Sequence, residues 1–78
     1  MSTTISLGLG MLIAESEEGA YAPIAVVGSM DEAKEMAASD IKERIRSLQM
    51  GGSPMSVHCY KVWANSMNGY RVVGEIPA

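Results

Sequence analysis

Three residues with chemically useful side chains, His58, Cys59 and Tyr60, follow one another in the chain. A cysteine nucleophile needs a histidine within hydrogen-bond reach to take its proton. The surrounding residues alternate as in a β-strand, where neighbouring side chains point to opposite faces. We therefore expect His58 and Tyr60 on one face and Cys59 on the other. This arrangement favours a buried structural cysteine over a catalytic thiol.

The remaining candidates for chemistry are carboxylates and glycines. One histidine and one cysteine cannot form a metal site of familiar ligand count without carboxylates, and no paired ligand spacing is present, so we expect no metal and no cofactor. Asp40 and Glu43 lie three residues apart among basic residues, a pattern typical of a solvated, ion-paired helix face. The sequence therefore predicts a protein that is not an enzyme.

Residues 5–11, ISLGLGM, contain two glycines at the spacing that opens a dinucleotide-binding motif. Residue 13 is isoleucine where the third glycine belongs, and no helix begins there, so this motif is not predicted. The period of two instead predicts a strand from Thr3 to about Ala14. A second strand is predicted from Tyr21 to Val27, in which Pro23 favours an edge position or the first residues of the strand.

The clearest pattern in the chain is a helix from about Met30 to Met50. Ser29 and Glu32 have the spacing of a capping box, in which the carboxylate reaches back to the N–H of the cap residue. Gly51 and Gly52, followed by Pro54, end the helix. The apolar stripe expected to be buried consists of Ala33, Met36, Ala37, Ile41, Ile45 and Leu48.

Two further strands are predicted, from Met55 to Ala64 and from Tyr70 to Ile76, joined by a segment that contains the turn pair Asn68-Gly69. The order ββαββ predicts an α+β fold, a four-stranded sheet with one amphipathic helix packed on one face. We expect a single domain over residues 1–78, with several strand orders compatible with the pattern.

One helix can cover only one face of such a sheet, and the other face must be polar or covered by something else. We expect the odd-numbered residues of the first strand, Ile5 to Ile13, to pack under the helix. Gly8 and Gly10 then lie on the helix-free face. Three explanations of these glycines are open: an aromatic side chain of a neighbouring strand lies over them, a second chain packs on them, or a small ligand does.

Composition limits the classes of function. The chain has 78 residues, 47% hydrophobic and 19% charged, which is ordinary for a folded domain with a small core. Its formal charge of −3 argues against a nucleic-acid partner, and its apolar runs are too short to span a membrane. A single cysteine allows no internal disulfide, and the run from Ile5 lacks the basic flank of a signal peptide, so we expect a cytoplasmic protein.

The favoured function is a non-enzymatic interaction or accessory module that forms a homodimer, or binds another protein partner, through the helix-free face. The residues predicted for this interface are Gly8, Gly10, Leu12 and Trp63. For Trp63 taken alone, a core anchor is the favoured interpretation over an interface residue, because a lone tryptophan in a small domain is most often buried. The alternative is a small-molecule site in a trough floored by the glycines, with polar groups from His58, Tyr60 and Tyr70. A nucleic-acid role would require one positive patch made of Lys42, Arg46, Lys61 and Arg71.

Overall fold

The computed structural model describes residues 9–66 and 69–78. In this part of the chain the elements are β1 (Gly10–Glu15), β2 (Tyr21–Val27), α1 (Met30–Gln49), β3 (Cys59–Ser66) and β4 (Gly69–Pro77). They form one sheet in the order β2-β1-β3-β4, with every neighbouring pair antiparallel. The predicted α+β fold, a four-stranded sheet with one helix packed on it, is confirmed.

The first hairpin is closed by a short turn between β1 and β2. The Ser16 N–H donates to the carbonyl of Ala20 at 2.8 Å, and the Ser16 hydroxyl accepts from the Ala20 N–H at 3.1 Å. Gly19 has a φ of 89°, a left-handed conformation that glycine adopts without steric cost. β2 lies at the edge of the sheet, which confirms the edge position predicted from Pro23. The β1–β2 register shifts between Leu12 and Ile13, so that Ile24 is the extra residue of a bulge.

α1 begins as predicted, with a difference in its cap. The Ser29 hydroxyl accepts from the Glu32 N–H at 3.1 Å, but the Glu32 carboxylate accepts from the Gly28 N–H, at 2.7 Å, rather than from that of Ser29. The helix ends at Gln49, where the N–H of the capping residue Met50 donates to the carbonyl of Arg46 at 3.0 Å.

Only part of the predicted helical stripe is buried. Ala33 and Ala37 are fully covered and Ile41 is half-buried against the core, whereas Met36, Ile45 and Leu48 are exposed. The prediction was wrong for these last three residues: Ile45 and Leu48 lie beyond Ile41, the last residue of α1 that packs against the core, and Met36 is 37% exposed at the margin of the buried stripe.

The predicted start of the third strand was also wrong. Residues 52–57 have no regular secondary structure, and β3 begins at Cys59. The reason is that β1 ends at Glu15, so earlier residues have no strand to pair with. The His58 N–H makes the last rung by donating to the Glu15 carbonyl at 2.7 Å. Met55 and Val57 still pack against the core from this loop. At the other end β3 continues to Ser66, which pairs with Gly69.

The core between the sheet and α1 contains the even-numbered residues of β1, which corrects the predicted orientation of this strand. Leu12 and Ala14 have no exposed surface, and neither have Val62, Tyr60 and Val27. Met11 and Ile13 instead alternate with these residues and lie on the helix-free face, half-buried, whereas Leu9, just before β1, is half-buried against the core as predicted. Residues 5 and 7, also assigned to the core, lie outside the described residues.

Candidate functional site

The side of the sheet away from α1, which we call the open face, is a grid defined by the strand register. Across the strands in the order β2, β1, β3 and β4, three aligned rows lie on this face. The first row is Val26, Met11, Trp63 and Val72. The second row is Pro23, Ile13, Lys61 and Glu75. Residues Tyr21, Glu15, Cys59 and Pro77 form a third row at one end of the face.

The first row, which we call the apolar row, contains no charged or polar side chain except the indole N–H of Trp63. Val26 is 66% exposed and Val72 41% exposed, at the two edges of the sheet, while Met11 and Trp63 are half-buried between them. Tyr70, 73% exposed, follows beyond the row on β4. The face therefore presents a continuous apolar band across all four strands.

Charged groups are confined to the opposite end of the open face. The Lys61 ammonium donates to the Glu15 carboxylate at 3.4 Å, and Glu75 pairs with Lys61 in the β3–β4 register. Cys59 lies in the same region with only 7% of its surface exposed. Burial, followed by the negative charges of Glu75 and Glu15, raises the pKa of the Cys59 thiol. The thiolate that nucleophilic chemistry requires is therefore disfavoured.

The open face is shallow rather than deeply concave. A depression of about 300 Å³ is lined by Ile13, Glu15, Tyr21 and Trp63. A second, of about 440 Å³, is lined by Met11, Ile13, Trp63 and Tyr70. Both open to solvent and share Ile13 and Trp63, so they are two parts of one surface around the tryptophan.

Gly10 has a structural explanation within the chain. Gly10 lies on the same side of β1 as Leu12 and Ala14, which is the helix side of the sheet and not the open face. Its backbone lies directly against β3. A methyl group added at Gly10 would overlap the Trp63 carbonyl, lying 2.8 Å from its carbon and 3.2 Å from the Cα of Ala64. Close approach of another backbone is thus the reason for this glycine. Gly8, predicted to share the role, lies outside the described residues.

Of the residues predicted for the interface, the structure places Trp63 on the open face and removes Leu12 from it. Leu12 is fully buried under α1 because the β1–β3 register fixes it opposite Val62. Sequence reasoning missed Met11, Ile13, Val26 and Val72. Lys61 is the residue whose type indicates them, because a charged residue in the middle of β3 must avoid the core, which assigns Trp63 and its row neighbours to the open face.

The three residues predicted to line a ligand trough are not brought together. Tyr60 is fully buried between the sheet and α1. His58 is exposed just before β3, its imidazole 3.6 Å from the Glu17 carboxylate. Tyr70 lies exposed at the far end of the open face. Their polar groups therefore do not converge on one cavity.

Tyr60 instead belongs to a polar cluster that the sequence pattern did not predict. Its hydroxyl donates to the Asp40 carboxylate at 2.5 Å, and the Arg44 Nε donates to the same oxygen at 2.6 Å. Arg44 also donates to the Met55 carbonyl at 3.3 Å. Asp40 is thus ion-paired as expected but largely shielded from solvent, with 17% of its side chain exposed. Burial, and then the hydrogen bond to Asp40, raise the pKa of Tyr60.

The basic residues considered for nucleic-acid binding do not form one patch. Lys61 lies on the open face, whereas Lys42 and Arg46 are on α1, on the other side of the sheet. Lys61 and Arg46 each have a carboxylate within 4 Å, Glu15 and Glu43 respectively. Arg71 alternates with Tyr70 and Val72 and so lies on the helix side of β4, which leaves Lys61 separated by the sheet from the other three basic residues.

A second apolar surface lies on the helix side of the molecule. It is a groove of about 340 Å³ between the C-terminal half of α1 and the loop before β3. Ile45 and Leu48 line it, and they are 50% and 61% exposed. This groove provides a natural control surface for experiments on the open face.

Within residues 9–66 and 69–78, no three His, Cys, Asp or Glu side chains cluster as a metal site would require. The one helix of this part of the chain is not long and apolar enough to cross a membrane. Comparison of the chain with known protein families, with curated proteins and with solved structures found no match.

Proposed function

We propose that the protein is a non-enzymatic interaction module that associates with a second copy of itself through the open face. The observation that carries this proposal is the apolar row, an uncharged band across four strands that nothing in the described chain covers. Apolar surface gains about 25 cal/mol per Å² on leaving water, so an uncovered band of this kind favours association.

The size of the face indicates how strong the association is. Strands about 4.8 Å apart, with a rise of about 3.3 Å per residue, make a four-stranded face of this length roughly 19 Å by 21 Å, or about 400 Å² in projection. Two copies would bury about 800 Å² in projection, and more as accessible area because side chains corrugate the surface. Specific interfaces exceed about 1,000 Å², so we expect a weak dimer with a dissociation constant in the micromolar range.

A second copy suits this surface better than a partner of different shape. A flat sheet face packs well on another flat sheet face at a spacing of about 10 Å. The apolar row carries no charge that would select an acidic or a basic partner. A twofold dimer needs only that the same patch be complementary to itself, and dimers of this symmetry are the commonest oligomers.

The proposal includes that the protein is not an enzyme, and two buried side chains support this part of it. Cys59 and Tyr60 are the most chemically promising groups, and both are buried with pKa values raised away from neutrality. A general acid or base works best with a pKa near the operating pH. We also propose a cytoplasmic location, because the single cysteine cannot form an internal disulfide and its thiol is buried.

Sedimentation equilibrium of wild type and two lysine variants tests the proposal. Val72→Lys places a charge on the apolar row, and Leu48→Lys is the matched control, since Leu48 is even more exposed but lies on the helix. We expect a dimer for the wild type and for Leu48→Lys at 100 micromolar and above, and a monomer for Val72→Lys. A monomeric wild type would refute self-association. Loss of the dimer in Leu48→Lys but not in Val72→Lys would show that the interface is the helix groove and not the open face.

A further inference from the structure

The distribution of charge on the open face defines how two copies fit together. Glu15, Lys61 and Glu75 all lie at one end, and the apolar row and Tyr70 lie at the other. The formal charge of the three groups sums to −1, and only Glu15 and Lys61 are in ion-pair contact. A buried charge that lacks a partner is costly, so the better dimer is the one that keeps these groups at the rim.

Two arrangements of stacked sheets differ in this respect. If the twofold axis runs parallel to the strands, the charged end of each copy faces the charged end of the other. This brings four carboxylates and two ammonium groups together in the interface. If the axis instead crosses the strands at the apolar row, the two charged ends lie at opposite rims. Each then remains in contact with water.

We propose, resting on the self-association argued above, that the second copy sits with its apolar row on the apolar row of the first, the twofold axis crossing the strands. Each edge strand then lies on its own counterpart, so Val26 faces the partner's Val26 and Val72 faces the partner's Val72. Trp63 and Met11 occupy the centre, where water is most completely excluded. Aromatic residues at such a position commonly contribute most to binding.

This geometry makes a prediction about Glu75 and Tyr70. In the β4 register Glu75 lies on one side of Val72, and Tyr70 lies on the other side. Rotation about an axis at Val72 brings Glu75 of one copy above Tyr70 of the other. A carboxylate and a phenol are complementary hydrogen-bonding groups, so the rim of the dimer is polar and satisfied.

Cross-linking of single-cysteine chains distinguishes the two arrangements. The native thiol is removed by Cys59→Ala, and Val72→Cys or Val26→Cys is added. Both valines are on edge strands and partly exposed, so neither exchange disturbs the core. Sedimentation first confirms that each variant dimerises, and a short bismaleimide reagent is then applied. A mixture of the two variants, one carrying an affinity tag, is treated in the same way.

We expect each single-cysteine variant to cross-link to itself and the mixture to yield no product joining residue 26 to residue 72. A product that joins only 26 to 72 would overturn the proposed axis and establish the parallel one. A dimer that gives neither product would also overturn it, while self-association itself would stand. A wild-type monomer in sedimentation would instead refute the proposed function.

Discussion

At the scale of single residues, the Tyr60 hydroxyl is the group that joins the sheet to the helix. Its bond to Asp40 crosses the core from β3 to α1, and Arg44 supports the same carboxylate from the next turn of the helix. A hydrogen bond to a charged group contributes more to stability than one between neutral groups. The cluster therefore fixes the position of α1 on a core in which the helix contributes mainly small side chains.

We expect Tyr60→Phe to lower the free energy of unfolding by about 1.5–3 kcal/mol, the range for a lost hydrogen bond to a charged partner. Tyr21→Phe is the matched control, because the Tyr21 side chain is exposed and lies at the charged end of the open face, away from the apolar row, and we expect a change within about 0.5 kcal/mol. Urea unfolding followed by circular dichroism measures both. Equal effects of the two variants would show that the hydroxyl of Tyr60 does not stabilise the fold.

The raised pKa of Tyr60 makes stability depend on pH in the alkaline range. Below the ordinary tyrosine pKa of 10.0 the phenol is neutral in both states, and its contribution is complete. Above this pH the unfolded phenol ionises while the folded one stays protonated. The free energy of unfolding then falls by about 1.4 kcal/mol per pH unit until the folded pKa is reached.

Urea titrations between pH 8 and pH 11 measure this slope. Cys59 also has a raised pKa and would add to the loss, so the comparison uses Cys59→Ala with and without Tyr60→Phe. We expect the decline above pH 10 to be shallower when Tyr60 is replaced. An unchanged slope would mean that the Tyr60 phenol titrates alike in the folded and unfolded states.

At the scale of elements, the sequence predicts which segments are helix and strand better than which faces they bury. β2 and α1 match their predicted bounds to within a residue, because a capping motif, an edge proline and a helical period mark them locally. The face of β1 is not a local property, since both of its faces carry apolar residues. It is decided across the register by β3, where Lys61 cannot be buried and Tyr60 and Val62 can.

The strand register also explains which residues of the open face could be predicted from the sequence and which could not. Trp63 could be predicted as an interface candidate because tryptophan is rare and its strand is recognisable. Met11 and Val26 become candidates only when the register places them in the same row as Trp63. The Tyr60–Asp40 bond joins residues 20 positions apart on different elements, and no sequence period connects them.

The Ser29 cap at the N-terminus of α1 makes a contribution to stability that can be tested separately. Ser29→Ala removes the hydroxyl that accepts from the Glu32 N–H, and we expect a loss of about 0.5–2 kcal/mol in the free energy of unfolding. Ser39→Ala is the control, an exposed position inside the helix where alanine is the better helix former. Thermal and urea unfolding measure both. A loss in Ser39→Ala as large as that in Ser29→Ala would contradict a specific capping role.

At the scale of the whole molecule, the small core and the open apolar face both favour association with a second copy. A chain of this length buries only about 60% or slightly more of its unfolded surface, so stability within one copy is limited. Among the described residues, the fully buried side chains lie between the sheet and α1. A second copy on the open face would supply a second layer of core and raise the stability of both chains.

Thermal unfolding at different protein concentrations measures this coupling. If the folded dimer unfolds to two free chains, stability rises by about 1.4 kcal/mol for each tenfold increase in concentration above the dissociation constant. In a domain of this size 1 kcal/mol corresponds to about 4–8 °C in Tm. We therefore expect Tm to rise by several degrees between 50 micromolar and 1 millimolar for the wild type and for Leu48→Lys, and to stay constant for Val72→Lys. A wild-type Tm that does not depend on concentration would show that each copy folds without help from the open face.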